Sequence, residues 1–317
     1  MNLIDVTREL NTDEQCFAFL EHQRWPNGIR CVVCGCERIS RITRKTPSKN
    51  KRVNLYQCLE PSCKQQFSVT SGTIFHDARV PLSKWFMAIS LIMDAKRGVS
   101  AKQLQRHLGL GSYQTAWHMC HRIREAMGED ASERTKLDGI VEMDETYVGG
   151  KKHGRQYQGR RDHKNCVVGI KQRGGKLRLI HTEDAKTETL ARCLQEHVSM
   201  DVELIMTDEL RAYPKALVLA GQDDMKHRTV NHSQGIYAYG NVTTNGIESA
   251  FSLFKRGVMG SYHKISIKHL FRYLAEFEFR FGERKNPERF KALVSRTAQT
   301  SPLTYRAPVD GPDLIPF

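Results

Sequence analysis

The spacing of apolar residues changes character several times along the chain, and each change predicts a different kind of element. Cys16, Phe17, Phe19 and Leu20 follow the polar start signal Asn11-Thr12-Asp13, which predicts a short helical lead-in over residues 1–25. From Pro26 to Ala78, helical periodicity gives way to Cys, Gly and short β-type runs such as Tyr56-Gln57-Cys58 and Phe67-Ser68-Val69, the pattern of a small metal-stapled unit. Helical spacing returns after Pro81 with Trp85, Phe86, Ile89, Ile92 and Met93, and Gly98 breaks it before Ser100 can cap a brief second helix through Leu104 and Leu108. A Gly109-Leu110-Gly111 turn precedes a third helix from Ser112 through Trp117, Cys120, Ile123 and Met127. Residues 79–130 thus have a helix-turn-helix outline.

The polar stretch Gly128 to Asp138 marks the main boundary. Strands are predicted at Ile140–Val148, Cys166–Lys171, Leu177–His181 and Val202–Thr207, with a helix from Lys186 to about His197 between the last two. Such an order implies an α/β domain over residues 135–282, a mixed sheet flanked by helices, within a multidomain chain. Lys151 to Lys164 reads as an exposed basic loop, and residues 283–317 as a basic tail in which a helix ends in Pro-rich coil.

The chain has 317 residues, enough for two or three packed units, and 49 Lys and Arg against 35 Asp and Glu leave a formal charge of +14. A polyanion is the expected partner, with DNA favoured over a membrane surface. The longest apolar run, Trp85 to Met93, is too short to span a bilayer and ends near Asp94 and Lys96. Asp5, Arg8 and Glu9 interrupt the stretch that a signal peptide would need, so a cytoplasmic protein, associated with the nucleoid when bound to DNA, is expected.

Four of the nine cysteines form two short-spaced pairs, Cys31/Cys34 and Cys58/Cys63. Zinc takes four soft ligands in a tetrahedron, and two knuckles of two thiolates each close such a site, so Zn²⁺ is expected here. Cys36 lies near enough to replace Cys34, but Gly35 better suits a turn directly after Cys34. Cys120, Cys166 and Cys193 fall on apolar stripes and read as core. Arg38, Arg41, Arg44, Lys45, Lys49, Lys51 and Arg52 lie between the pairs, suited either to phosphate contacts or to a solvated face. The third helix is expected to expose Gln114, His118, Arg122 and Arg124 toward bases or phosphates, although ordinary helix packing would satisfy the same spacing.

Two aspartates sit where an ionised carboxylate is costly without a partner or a metal: Asp144 interrupts an apolar strand, and Asp208 directly ends another. Hard divalent cations prefer such oxygen ligands. A third carboxylate, Glu248, lies beside the helical stripe Ile247, Phe251, Phe254 and Val258, sharing a face with Ser252 and Lys255. Taken alone, it reads as half of an ordinary Glu to Lys helix pair or as a partner of the helix dipole rather than as a metal ligand.

Together these stretches resemble the insertion-sequence transposases of the ISXO type, which join a zinc ribbon to a DDE catalytic domain. The resemblance spans most of the chain. It rests on the two cysteine pairs, "FSVTSGTIFHDARVPLSKW", "AWHMCHRIREAM", "VEMDETYVGGK", "TDELRAYPKA" and "NGIESAFSLFKRGVMGSYHKISIKHLFRYLAEFEFR". It implies a ribonuclease-H-like fold, with Asp144, Asp208 and Glu248 as the acidic triad holding Mg²⁺ or Mn²⁺, and with Glu142 and Glu145 as second choices. Its implied reaction is DNA cleavage at the terminal inverted repeats followed by transfer to target DNA, within a homo-oligomer and away from any membrane. After "EFEFR" the family's Asn-rich stretch is replaced here by Phe281-Gly282-Glu283-Arg284.

The candidate DNA contacts are Arg41, Arg44, Lys45, Lys51, Arg52, Gln114, His118, Arg122, Lys151, Lys152, Lys255, Arg256 and His263, together with Tyr262 in "GSYHKIS". Lys255, Arg256 and the Tyr262-His263 pair read equally as a solvated basic surface. Two other classes fit the same composition: a catalytically silent zinc-ribbon regulator derived from a transposase, and a metal-dependent nuclease that does not join strands.

Overall fold

The computed structural model describes residues 1–42, 55–130, 132, 134–149, 165–230 and 243–303. The chain divides into two compact units, and the first gathers residues from both ends of the sequence: Met1–Ala95, Val99–Met127 and Asn286–Gly311.

In the first unit, helix α1 (Leu3–Glu9) and helix α2 (Asp13–Arg24) both begin with a reciprocal capping box, formed by Asn2 with Asp5 and by Thr12 with Gln15. Three short strands follow, β1 (Ile39–Ile42), β2 (Leu55–Cys58) and β3 (Gln66–Ser68), paired antiparallel in that order. Trp25, Tyr56 and Phe67 stack in a small aromatic cluster beneath them. Arg24 ties α2 to this sheet by donating to the Val69 carbonyl at 2.6 Å. Tyr56 and Arg41 both donate to the Glu21 carboxylate.

The expected three-helix outline is α3 (Leu82–Asp94), α4 (Ala101–His107) and α5 (Tyr113–Met127), with the Ser100 hydroxyl accepting from the Gln103 amide as the N-cap. Helix α10 (Arg289–Gln299) packs against α2, α3 and α5. Phe290 meets Phe19 of α2 and Phe86 of α3, with ring centroids about 6 Å apart. The tail expected after Gly282 therefore contributes core to the unit that contains the N-terminus.

The second unit, Lys96–Gly98, Gly128–Lys285 and Pro312–Phe317, holds a five-stranded sheet. Its strands are β4 (Ile140–Val148), β5 (Asn165–Gln172), β6 (Leu177–Thr182), β7 (Leu204–Thr207) and β8 (His227–Thr229), in the spatial order β6-β5-β4-β7-β8. The first three pair antiparallel, while β7 runs parallel to both β4 and β8. Helices α6 (Thr187–His197) and α7 (Ala212–Leu219) cover one face, burying Val141, Met143, Val168 and Ile170 with Leu190, Leu194 and Leu217. Helices α8 (Asn245–Gly257) and α9 (Ile267–Gly282) cover the other, burying Val167, Leu177 and Leu179 with Ile247, Phe251, Phe254 and Leu274. The unit has the mixed, doubly covered sheet of a ribonuclease-H-like domain. Because β5 faces helices on both sides, it is apolar and buried from Cys166 to Ile170. Its one gap is Gly169, where an added Cβ would lie 2.6 Å from both Ile247 Cδ1 and Phe251 Cζ, so the glycine lets α8 approach the sheet.

Among the described residues no helix is long and apolar enough to cross a membrane.

Candidate metal centres and nucleic-acid contacts

Side chains alternate along β4, so Val141 and Met143 enter the α6/α7 core while Glu142 and Asp144 point to the side covered by α8. The parallel register Glu142↔Met206, extended by two residues, sets Asp144, midway along β4, beside Asp208, which directly follows the C-terminal end of β7. Asp144, Glu145 and Asp208 each offer a carboxylate oxygen, and these lie within 4.8 Å of one another. The Asp144 carboxylate accepts from the Glu145 amide at 2.8 Å, and Asp208 accepts from the Leu210 amide at 3.0 Å. Glu145 also accepts from the buried Tyr213 hydroxyl at 2.9 Å.

Glu248 lies in the first turn of α8, half-buried, where the Thr244 hydroxyl donates to it at 2.7 Å. It stands outside the three-carboxylate group but is close enough to act on Asp144. Burial, followed by Glu145, Asp208 and Glu248, pushes the Asp144 carboxyl up to about 7, against one opposing hydrogen bond from the Glu145 amide. The side-chain charges that act on it most strongly, Glu145, Asp208 and Glu248, are negative. Such a group fits divalent cations, which would neutralise it through the oxygen ligands they prefer. Glu145 is the group member that sequence reasoning ranked second; its signal was its place next to Asp144 in "MDETY".

In the ribbon, Cys31, Cys34, Cys58 and Cys63 offer Sγ atoms that lie within 4.8 Å of one another. The Cys31–Cys63 and Cys34–Cys58 separations are 3.7 and 3.6 Å. A tetrahedral zinc with bonds of about 2.3 Å sets its ligands about 3.8 Å apart, so the four thiols are spaced to receive it. Gly35, at φ +74°, follows Cys34 and donates its amide to the Cys31 carbonyl, closing the first knuckle. Cys36 lies outside the group, its sulfur facing the Arg38 amide. Cys120, Cys166 and Cys193 are buried core residues.

The basic candidates separate into several groups. Arg44, Lys45, Lys51, Arg52, Lys151 and Lys152 lie outside the described residues. Arg41 is exposed on β1 and paired with Glu21; Lys255 and Arg256 are exposed on α8, with Arg256 donating to Ser252. His263 is exposed at φ +57°. On α5, Gln114 is exposed and His118 half-buried. The expected exposure of Arg124 is corrected: it is 2% exposed, because α5 packs its C-terminal half against α3 and α10. Arg122 is half-buried too, and its guanidinium donates to the carbonyls of Ile74, His76 and Leu303. Tyr262 turns inward, donating to the buried Glu276 at 2.6 Å.

Two sequence families match these same two regions. A transposase zinc-ribbon domain matches residues 11–66, and an ISXO2-like transposase domain matches residues 136–282. The chain thus carries a transposase zinc-ribbon domain followed by an ISXO2-like transposase domain. A curated relative, described as an uncharacterized protein in transposable element ISH50 of Halobacterium salinarum, is 29% identical over 271 residues, covering 81% of this chain and 86% of that protein. Among solved structures, that of a pre-cleavage Mos1 transpososome aligns with 67% of this chain and 78% of its own at 14% identity, with a TM-score of 0.22. The transposase domain begins just before β4 and ends with α9, so Asp144, Asp208 and Glu248 all fall inside it.

Proposed function

We propose that this chain is an ISXO2-like transposase that binds the terminal inverted repeats of an insertion sequence and catalyses metal-dependent DNA cleavage and strand transfer. The observation that carries the reading is the placement of Asp144 on β4 beside Asp208 at the end of the parallel strand β7, with Glu248 acting on Asp144 from α8. These three carboxylates would hold Mg²⁺ or Mn²⁺, and a bound pair supplies charge stabilisation to the attacking and leaving oxygens of an in-line displacement at phosphorus. Asp144 and Asp208 hold fixed positions because each accepts a nearby backbone amide, from Glu145 and Leu210 respectively. The Tyr213 hydroxyl restrains Glu145 beside them. The ribbon thiols would hold Zn²⁺ in a structural role, since all four positions are filled by protein ligands.

Phosphate contacts are assigned to Arg41, Arg44, Lys45, Lys51, Arg52, Lys151, Lys152, Lys255, Arg256 and His263, with Gln114 and His118 on α5 reaching toward bases. Arg122 supports α5 from within and joins these contacts only if its carbonyl partners release it. Bringing two DNA ends together calls for at least two protomers.

Duplex oligonucleotides carrying the repeats that flank the gene, incubated with the protein and Mg²⁺ or Mn²⁺, test this reading. End cleavage and joining that vanish in Asp208→Asn are the expected result. Binding without cleavage would identify a silent regulator, and cleavage without joining a nuclease; either overturns the proposal.

A further inference from the structure

We infer that Glu142 is a positioning residue that holds the first turn of α8, and with it Glu248, against the strand that carries Asp144. This rests on the proposed reading of Asp144, Asp208 and Glu248 as the metal-holding set.

Glu142 lies on β4 two residues before Asp144 and is 3% exposed. One carboxylate oxygen accepts the Ile247 amide of α8 at 2.9 Å, and the other accepts Arg173 Nε at 3.1 Å. Arg173 extends the tie by donating to the Thr243 carbonyl at 3.2 Å, just before the helix starts. The Ile247 amide also reaches the Thr244 carbonyl at 3.1 Å, so Glu142 shares this donor, and a buried carboxylate at the positive end of a helix gains from the dipole as well. Gly246 makes the approach possible: an added Cβ would stand 2.5 Å from Glu142 Oε2 and 3.0 Å from Lys171 Nζ.

The segment Gly246-Ile247-Glu248 can then be read one residue at a time. The glycine clears space for Glu142, the isoleucine lends its amide, and the glutamate follows directly on the turn so held, near enough for its charge to act on Asp144. Both Glu142 oxygens already accept N–H donors, and Glu142 is absent from the carboxylate group formed by Asp144, Glu145 and Asp208. It acts through Glu248 rather than as a ligand. An apolar residue at a site this buried would avoid the cost of desolvating a charge, and the carboxylate's return is the geometry it imposes.

The test is a calorimetric Mn²⁺ titration of the full-length, zinc-loaded protein without DNA, paired with thermal melts. Native protein is compared with Glu142→Gln, Glu248→Gln, the double variant, Gly246→Ala and Asp144→Asn. Removing a group that orients a metal ligand typically weakens affinity by roughly ten- to a hundredfold, and Glu142→Gln should weaken Mn²⁺ binding by about tenfold or more. Once Glu248→Gln is present, the same change should cost less than about twofold, because the side chain it positions is gone. Gly246→Ala leaves every charge in place and should reproduce the loss, which decides the matter if Glu142→Gln does not fold. Unchanged affinity in both Glu142→Gln and Gly246→Ala, or fully additive losses in the double variant, would overturn the inference while leaving the proposed site intact. If Asp144→Asn leaves Mn²⁺ affinity at the native value, the proposed site fails and this inference falls with it.

Discussion

Asp144 is a carboxylate that the fold holds at a cost. Its ordinary value of 3.8 rises to about 7 in the folded chain, so folding tightens its grip on a proton. The stabilisation linked to that proton is complete below about pH 4 and is lost as pH climbs through 7. In metal-free protein, Asp144→Asn should therefore raise the melting temperature at pH 8 and leave it unchanged near pH 4; a variant less stable than native at pH 8 would contradict this. Mn²⁺ competes with the same proton, so its binding should weaken as pH falls below 7, as calorimetry at a series of pH values would record. At this scale the sequence was informative wherever a polar residue broke an apolar run, as Asp144 and Asp208 do. It offered Glu142 only as a second-choice member of the acidic set and gave no sign of its tie to α8, because its partners Arg173 and Ile247 come from distant parts of the chain and meet it only after the sheet has formed.

The strands of the second unit were legible because burial imposes a period of two, and the expected Ile140–Val148 coincides with β4. Strand β8 left no such mark: His227, Arg228 and Thr229 are polar or exposed, and they become a strand by pairing along β7. Helix α7 carries Pro214 in its first turn, where the missing N–H costs little, so a residue that usually argues against a helix is harmless there. The third helix of the first unit was expected in the right place but with Arg124 exposed, whereas Arg124 is buried in a helix that packs against α3 and against α10 from residues 289–299. Close packing makes a further element-level prediction. Gly169→Ala should lift α8 from β5 and destabilise the second unit by about 1–3 kcal/mol, measured by denaturant unfolding. On α2, Thr12→Ala removes the capping box and should cost about 1 kcal/mol.

Across the whole molecule, two metal environments of opposite chemistry sit in separate units, four thiols in one and a set of carboxylates in the other. A strong zinc chelator, or Cys58→Ser, should abolish stoichiometric zinc while leaving Mn²⁺ binding by the carboxylates near its native affinity. Loss of both together would show that the two units do not fold independently. The cysteine pairs and the order of motifs made this division legible in advance, since soft and hard ligands announce different ions. What could not be read was the route of the polypeptide. Residues after Lys285 carried too little pattern to reveal which core they serve.

That route has a consequence for damage to the gene. Helix α10 supplies Phe290 to an aromatic cluster with Phe19 and Phe86, so a premature stop codon shortly after Lys285 would spare the carboxylates and strip a wall from the half of the protein translated first. The lesion at one extremity would be felt at the other.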